Sequence, residues 1–155
     1  MAVYLDTSVL VALFFHERAS AAARARASRE AQLWVSRWTL AEFASAVAFK
    51  RRQAQTDAAT ARKATARLNA IVTQGGLQVA DLERADFERA GALCEAHTSG
   101  LRTPDALHAA VAGRLRLLLL TADQRQADGC GHHGIECEML IATPRQSRLV
   151  KAIAE

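Results

Sequence analysis

The sequence predicts an α/β fold, with a mostly parallel sheet of about five strands in one domain. Short apolar runs alternate with longer alanine-rich or amphipathic stretches, which is the pattern of strands joined by crossover helices. Residues 117–120 are four consecutive leucines, as expected for a strand buried on both faces of a parallel sheet. The chain has 155 residues, of which 50% are hydrophobic, and this suits a single domain with a substantial core.

Five short apolar stretches predict the strands. They lie at residues 3–5, 33–35, 77–80, 117–120 and 135–140. The first and fourth are followed directly by Asp-Thr-Ser and by Thr-Ala-Asp, so a polar junction comes immediately after each of these buried strands. We therefore expect carboxylates and hydroxyls at the carboxyl ends of these two strands.

Helices are predicted between the strands, from apolar periodicity and from residues that favour helix ends. They cover residues 9–16, 19–29, 39–50, 58–73, 83–96, 104–114 and 124–128. Asp57 and Asp81 are predicted to cap the helices that follow them, and Gly75 to end the fourth helix. Thr103 is the predicted N-cap of the sixth helix, with Pro104 in its first position. The first helix is apolar on nearly all sides, which suggests a partner surface formed with a second protein or with a second copy of the chain.

Four carboxylates are the candidate catalytic and metal-binding residues: Asp6, Glu42, Asp105 and Asp123. Each has a purely structural alternative, because Asp6, Asp105 and Asp123 could serve helix N-termini and Glu42 could form a capping box with Thr39. Ligands of open α/β sheets bind beyond the carboxyl ends of the strands, where connectivity places at least three of the four.

Carboxylates gathered at such an edge repel one another, and a hard divalent cation with oxygen ligands removes that penalty. Mg²⁺, or Mn²⁺ as a substitute, suits a site that lacks Cys and His ligands. The chemistry this predicts is attack on a phosphodiester by metal-activated water. Ser8 and Thr121 are candidate supporting hydroxyls that would orient a carboxylate or a water.

Composition is consistent with a polyanionic substrate, since the net charge is +4 and carboxylates drawn into one pocket would leave the remaining surface more basic still. An arginine-rich surface without function is the equally simple alternative. Three cysteines without an apparent signal peptide predict reduced thiols and a cytoplasmic protein, and the four-leucine run is too short to span a membrane.

Four motifs together resemble one family. Val-Tyr-Leu-Asp-Thr-Ser at 3–8, Thr-Leu-Ala-Glu-Phe at 39–43, Thr-Pro-Asp-Ala-Leu-His at 103–108 and Leu-Thr-Ala-Asp at 120–123 are similar to the PIN domain, and most of all to VapC-type toxins of type II toxin–antitoxin modules. The resemblance runs in order from the first strand to about Leu140. It suggests a PIN domain at residues 1–142 followed by a tail at 143–155.

The resemblance implies a three-layer α/β/α sandwich and a Mg²⁺-dependent endoribonuclease inhibited by a small VapB-type antitoxin. By position it makes Asp6, Glu42, Asp105 and Asp123 the acidic metal site, with Ser8 and Thr121 as supporting hydroxyls. The tail is longer than the resemblance implies.

Several other residues are weaker candidates. Arg102, close to Asp105 in sequence, is the best single candidate for an RNA phosphate contact, whereas His108 is expected to be a packed, hydrogen-bonded histidine. The segment 130–137 contains Cys130, two histidines and Cys137, but the spacing suits no common zinc site. Trp34 and Trp38 could stack on RNA bases, although core packing is the simpler expectation.

Two functions of other classes are compatible with acids at strand ends. A receiver-like, non-enzymatic Mg²⁺-binding switch would need a lysine after a late strand, where the sequence has Ile-Ala-Thr-Pro. A phosphatase with an aspartyl nucleophile would need a second Asp at position 8, which is Ser8. Both functions are therefore less well supported than the nuclease.

Overall fold

The computed structural model describes residues 1–141 and contains one five-stranded sheet in which every pairing is parallel. The strand order is β3-β2-β1-β4-β5. The strands are β1 (Ala2–Leu5), β2 (Gln32–Ser36), β3 (Gln78–Ala80), β4 (Leu118–Thr121) and β5 (Cys137–Met139). The predicted α/β class and strand number are confirmed, whereas the predicted tail at 143–155 lies outside the described residues.

Seven helices flank the sheet within the described part of the chain. They are α1 (Thr7–Phe14), α2 (Ser20–Ala27), α3 (Arg37–Arg52), α4 (Ala58–Thr73), α5 (Arg84–Glu95), α6 (Thr103–Leu115) and α7 (Gln124–His132). Each predicted helix is present, and α7 continues four residues further than its sequence suggested. No helix among residues 1–141 is both long enough and apolar enough to cross a membrane.

The sheet separates two hydrophobic cores, because successive strand side chains point to opposite faces. Val3 and Leu5 of β1 pack in one core with side chains of α1, α3 and α4. Tyr4 and Leu119 belong to the other core, which contains side chains of α5 and α6. The molecule is therefore a three-layer α/β/α sandwich with apolar clusters on both sides of the central strands.

The N-cap of α4 was predicted correctly from local sequence, whereas the N-caps of α5 and α6 were not. Asp57 caps α4 as predicted, with its carboxylate accepting a hydrogen bond from the amide of Thr60 at 2.6 Å. The prediction that Asp81 caps α5 is wrong, because Glu83 occupies that position and Asp81 pairs with Arg37. In α6 the N-cap is Arg102 rather than Thr103, so the helix begins one residue earlier than predicted.

The strand order also bears on the receiver-like alternative. Receiver-type sheets have the order 2-1-3-4-5, in which the third strand lies beside the first. Here β3 lies at the edge next to β2, and β1 is followed by β4. This topology contradicts the receiver-like prediction and leaves one switch point, between β1 and β4.

Candidate active site

The four predicted carboxylates line a single cavity of about 490 Å³. It opens beyond the carboxyl ends of β1 and β4, where the chain connections run in opposite directions from the central strand. Crevices at such switch points are the usual ligand sites of open α/β sheets. The carboxylates come from β1–α1, α3, α6 and β4–α7, and they are Asp6, Glu42, Asp105 and Asp123.

Asp6 is the buried member of the group, with an exposed fraction of only 2%. It is the N-cap of α1, and its Oδ1 accepts hydrogen bonds from the Val9 amide at 2.9 Å and from the Ser8 hydroxyl at 2.6 Å. Its Oδ2 accepts a hydrogen bond from the Thr121 hydroxyl. Burial raises the pKa of Asp6 above its ordinary value, although these donors and His108 favour the ionised form. Ser8 and Thr121 therefore both hold the Asp6 carboxylate.

Asp105 and Asp123 lie at the starts of two different helices. Asp105 is in the first turn of α6, and its pKa is raised by burial and then by the negative charges of Asp123 and Asp6. Asp123 is exposed and caps α7, accepting a hydrogen bond from the Arg125 amide at 2.8 Å. Asp6 and Asp123 therefore do cap helices, as the structural alternative predicted, and they also line the same cavity. The repulsion felt by Asp105 shows that these charges are close enough to interact.

Glu42 has a different electrostatic environment from Asp6 and Asp105. Its Oε2 accepts hydrogen bonds from the Thr7 hydroxyl and from His108 Nε2, the latter at 2.8 Å. Burial opposes ionisation of Glu42, but these two donors outweigh it, so the pKa of Glu42 lies below its ordinary value. The alternative role in a capping box is wrong, because Ser36 and Thr39 form the box of α3.

Five further polar residues line the cavity, and sequence reasoning did not assign them to it: Thr7, Glu17, Arg18, His108 and Gln126. Thr7 could have been noticed, since it lies between Asp6 and Ser8 in the first motif. Gln126 is buried and donates a weak hydrogen bond to the Asp105 carbonyl at 3.4 Å. His108 is packed and hydrogen-bonded as expected, but it also faces the cavity.

Arg18 is a basic residue of the cavity lining that no sequence pattern singled out. It is exposed and lines the acidic cavity, and within residues 1–141 no carboxylate lies within salt-bridge distance of it. Its neighbour Glu17, also in the lining, pairs with Lys50. The predicted phosphate contact, Arg102, is exposed at the N-cap of α6 and is not part of the cavity lining.

The donor chemistry of the cavity fits a hard divalent cation. The acidic groups that line it are all carboxylates. The negative charges of Asp123 and Asp6 contribute to the raised pKa of Asp105, and a bound cation would relieve this repulsion. Within the described residues, no three Cys, His, Asp or Glu side chains have a geometry that would hold a metal ion as they stand. The carboxylates thus fit such a cation in type and location, but they do not form a finished coordination shell.

The cysteines and tryptophans have mainly packing roles. Cys130 is buried in the core that contains side chains of α5 and α6, and Cys137 packs against the same core. All three cysteines, including Cys94, are free thiols. Trp34 and Trp38 pack against the same core, which agrees with the expectation of core packing.

Comparisons with known proteins agree with this architecture. The family model of the PIN domain matches residues 3–131. No curated protein matches the chain by sequence. Solved structures with similar folds include FitAcB from Neisseria gonorrhoeae, which is 16% identical with a TM-score of 0.65; the match covers 88% of this chain and 96% of that one.

Two further solved structures have similar folds. VapC20 of Mycobacterium tuberculosis, described as a Sarcin-Ricin loop cleaving toxin, is 19% identical with a TM-score of 0.63, and the match covers 86% of this chain and 95% of that one. VapBC2 from Rickettsia felis, bound to a DNA fragment from its promoter, is 18% identical with a TM-score of 0.60, covering 90% and 98%. At these identities the likeness concerns the fold.

Proposed function

The chain belongs to the PIN domain family, and from that premise we propose that it is a Mg²⁺-dependent endoribonuclease, the toxin of a type II toxin–antitoxin pair. The observation that carries the proposal is the meeting of Asp6, Glu42, Asp105 and Asp123 in one cavity at the switch point of the sheet. The hydroxyls of Ser8 and Thr121 add support, because both are hydrogen-bonded to Asp6.

In this proposal Asp6, Asp105 and Asp123 hold the cation, with Glu42 completing the site. A bound Mg²⁺ or Mn²⁺ would activate water for attack and offset charge on the phosphate. Asp6 is oriented for this by its three donors, whereas Asp105 is held only by its place at the start of α6. Glu42 stays ionised because Thr7 and His108 donate to it, so it can accept hydrogen bonds from an attacking water.

The RNA backbone would approach the cavity past its basic residue. Arg18 lines the cavity with no carboxylate partner within residues 1–141, so its guanidinium is available to a phosphate. Arg102, which does not line the cavity, is a second candidate that would contact RNA beyond the scissile bond. The cationic side chains thus supply substrate binding, while the carboxylates serve the reaction.

Partners are also part of the proposal. The similar VapBC2 structure is that of a VapB–VapC pair, which supports a VapB-type antitoxin for this chain. The partly exposed apolar residues of α1, Leu13 and Phe14, are consistent with a protein surface there, for the antitoxin or for a second copy in a homodimer. An RNA-cleaving toxin of this kind would act in the cytoplasm, which is compatible with three free cysteines.

The test is cleavage of total cellular RNA by the purified protein with Mg²⁺, with EDTA, and as the Asp105→Asn variant. Asp105 is the better choice for substitution, because Asp6 also caps α1 and accepts hydrogen bonds from two hydroxyls. Asp57→Asn is the matched control, since Asp57 caps α4 outside the cavity and Asn is an equally good N-cap.

We expect cleavage by the wild type and by Asp57→Asn with Mg²⁺, and loss of cleavage with EDTA or with Asp105→Asn. Equal cleavage by Asp105→Asn, or cleavage that persists in EDTA, would contradict the proposed site. Absence of any cleavage in a pool that contains transfer and ribosomal RNA would contradict the nuclease itself.

A further inference from the structure

A buried chain of hydrogen bonds runs from β1 to the cavity through His108. It begins at Tyr4, whose side chain is fully buried and whose hydroxyl lies 2.8 Å from Ser36 Oγ, 3.1 Å from Thr39 Oγ1 and 3.1 Å from His108 Nδ1. The hydroxyl is therefore a fixed point that joins β1, the start of α3 and α6.

His108 connects this fixed point to Glu42. Its side chain is almost completely buried in α6, and both ring nitrogens are engaged. A carboxylate only accepts hydrogen bonds, so Nε2 carries the proton in the 2.8 Å contact with Glu42 Oε2. Rotating the ring by 180° would place carbon atoms against Tyr4 and Glu42, and the ring orientation is thus determined.

Glu42 depends on that orientation for its own position. One carboxylate oxygen, Oε2, accepts hydrogen bonds from both His108 Nε2 and the Thr7 hydroxyl. These donors belong to α6 and α1, whereas Glu42 belongs to α3. A partly exposed glutamate would otherwise sample several rotamers, and ordering it costs conformational entropy. Because these hydrogen bonds already order the Glu42 side chain, that entropy cost is offset before a ligand binds.

We propose that His108, braced by Tyr4, is a positioning residue that fixes the Glu42 carboxylate for cation binding in the cavity. This inference rests on the proposed function, because it assumes that the carboxylate cluster binds Mg²⁺ or Mn²⁺. A buried histidine satisfies its ring nitrogens whatever its role, so the observation that points to positioning is the partner of Nε2, which is a carboxylate of the cavity lining. Precise support of functional groups by neighbouring hydrogen bonds is how ligand geometry is held in such sites.

Two amide substitutions separate the two ring nitrogens. In His108→Gln the side-chain amide nitrogen reaches the place of Nε2 and can still donate to Glu42, whereas in His108→Asn the amide reaches only the place of Nδ1. Both variants lose the ring and its packing. The measurement is Mn²⁺ affinity without RNA, from the loss of the free-ion signal in electron paramagnetic resonance, with circular dichroism to verify folding.

We expect His108→Asn to weaken Mn²⁺ binding about tenfold, a loss of about 1.4 kcal/mol that is close to the value of one hydrogen bond to a charged group, and His108→Gln to weaken it less than about threefold. In a Glu42→Ala background no carboxylate remains to be positioned, so adding His108→Asn should change Mn²⁺ affinity less than twofold. Equal losses in the Asn and Gln variants, or a loss that persists in the Glu42→Ala background, would overturn the inference.

Tyr4→Phe provides a second route if His108→Asn does not fold. It removes only the hydroxyl that braces Nδ1, and we expect a smaller loss of Mn²⁺ affinity that also disappears with Glu42→Ala. Where His108→Asn does not fold, an unchanged affinity in Tyr4→Phe would overturn the positioning role while leaving the metal site intact. A wild-type protein that binds no Mn²⁺ would overturn the metal site and, with it, this inference.

Discussion

Asp6 and Asp105 both have pKa values above the ordinary value, but the groups that surround the two carboxylates differ. Asp6 is opposed chiefly by burial, but it has three local hydrogen-bond donors that hold it in place. Asp105 is opposed by burial and by the charges of Asp123 and Asp6. Asp6 is therefore part of the local structure, whereas Asp105 contributes negative charge that destabilises the metal-free fold.

Removing the charge of Asp105 should stabilise the metal-free protein. A carboxylate with a pKa above its ordinary value of 3.8 holds its proton more tightly when folded, so folding stability falls as pH rises from about 4 through the raised pKa and stays lower at pH 7. Asp105→Asn has no carboxylate at this position, so its folding stability does not fall in this way as pH rises. We expect its melting temperature in EDTA to equal that of the wild type near pH 4 and to exceed it by a few degrees at pH 7.

Thermal melts of both proteins from pH 4 to pH 7 measure this difference. Asp57→Asn is the control with the opposite sign, because hydrogen bonds from Thr60 lower the pKa of Asp57. A wild-type protein that is as stable as Asp105→Asn across the whole range would show that the carboxylates of the cavity do not repel one another.

Arg18 leads to a prediction about substrate binding. Arg18→Gln should weaken binding of RNA to the cleavage-deficient Asp105→Asn protein and reduce the slope of log affinity against log salt by about 0.7, the value for one lost phosphate contact on single-stranded RNA. Fluorescence anisotropy with a labelled RNA measures both quantities. The matched change Arg84→Gln, at an exposed arginine of α5 outside the cavity, should leave the slope unchanged. An equal slope in all three proteins would exclude Arg18 as a phosphate contact.

At the scale of one element, α7 is positioned by a close approach at Gly129. A Cβ at this position would lie 2.4 Å from Leu101 Cγ and 3.2 Å from the Ser99 carbonyl oxygen. The glycine thus lets α7 pack directly on the loop that leads into α6. Because Asp105 and Asp123 lie at the starts of α6 and α7, this contact also helps to set the distance between two acidic groups.

Gly129→Ala should therefore destabilise the protein by about 1–3 kcal/mol, as overpacking against a neighbouring loop does. Gly131→Ala is the matched control in the same helix, since a Cβ there meets nothing within 4 Å and alanine favours helix by up to about 1 kcal/mol. Urea denaturation of the two variants measures the difference. A Gly129→Ala protein as stable as Gly131→Ala would show that the loop moves aside without cost.

At the scale of the whole molecule, the strand order explains why distant residues meet. With β1 at the centre between β2 and β4, the connection after β1 leads to β2 and the connection after β4 leads to β5, so the two diverge and open a cavity at the carboxyl ends. Helices from both layers border this opening: α1 and α3 pack on one core and α6 on the other. A ligand in the cavity therefore contacts the two layers at once.

A cation bound there should stabilise the entire fold. At a free Mn²⁺ concentration 100 times the dissociation constant, binding adds about 2.7 kcal/mol to the free energy of unfolding, which for a chain of this size raises the melting temperature by roughly 5–10 °C. Differential scanning calorimetry with Mn²⁺ and with EDTA measures the shift. We expect Asp105→Asn to lose most of it, and a wild-type melting temperature that does not depend on Mn²⁺ would contradict a cation site in the cavity.

The sequence by itself determined the features that depend on neighbouring residues. Alternating apolar runs and helices predicted the class and the strand number, because strand burial and helix periodicity are local patterns. Asp57 could be recognised as a helix cap from its own segment. Three of the four carboxylates could be placed at one sheet edge because strand ends have a defined direction, whereas Asp105, at the start of the helix before the fourth strand, could not be placed from the order of elements alone. The starts of α5 and α6 were shifted, since Glu83 and Arg102 compete for the N-cap with the residues that propensity favours.

Only the tertiary structure decided which side chains surround those carboxylates. His108 and Glu42 are 66 residues apart in sequence, and Tyr4 and His108 are 104 apart. Arg18 enters the cavity and Arg102 does not, although Arg102 is closer in sequence to an acidic residue. These placements follow from the packing of α1, α3 and α6 around β1, because hydrogen bonds and repulsion depend on distance in space, which no local pattern of the sequence encodes.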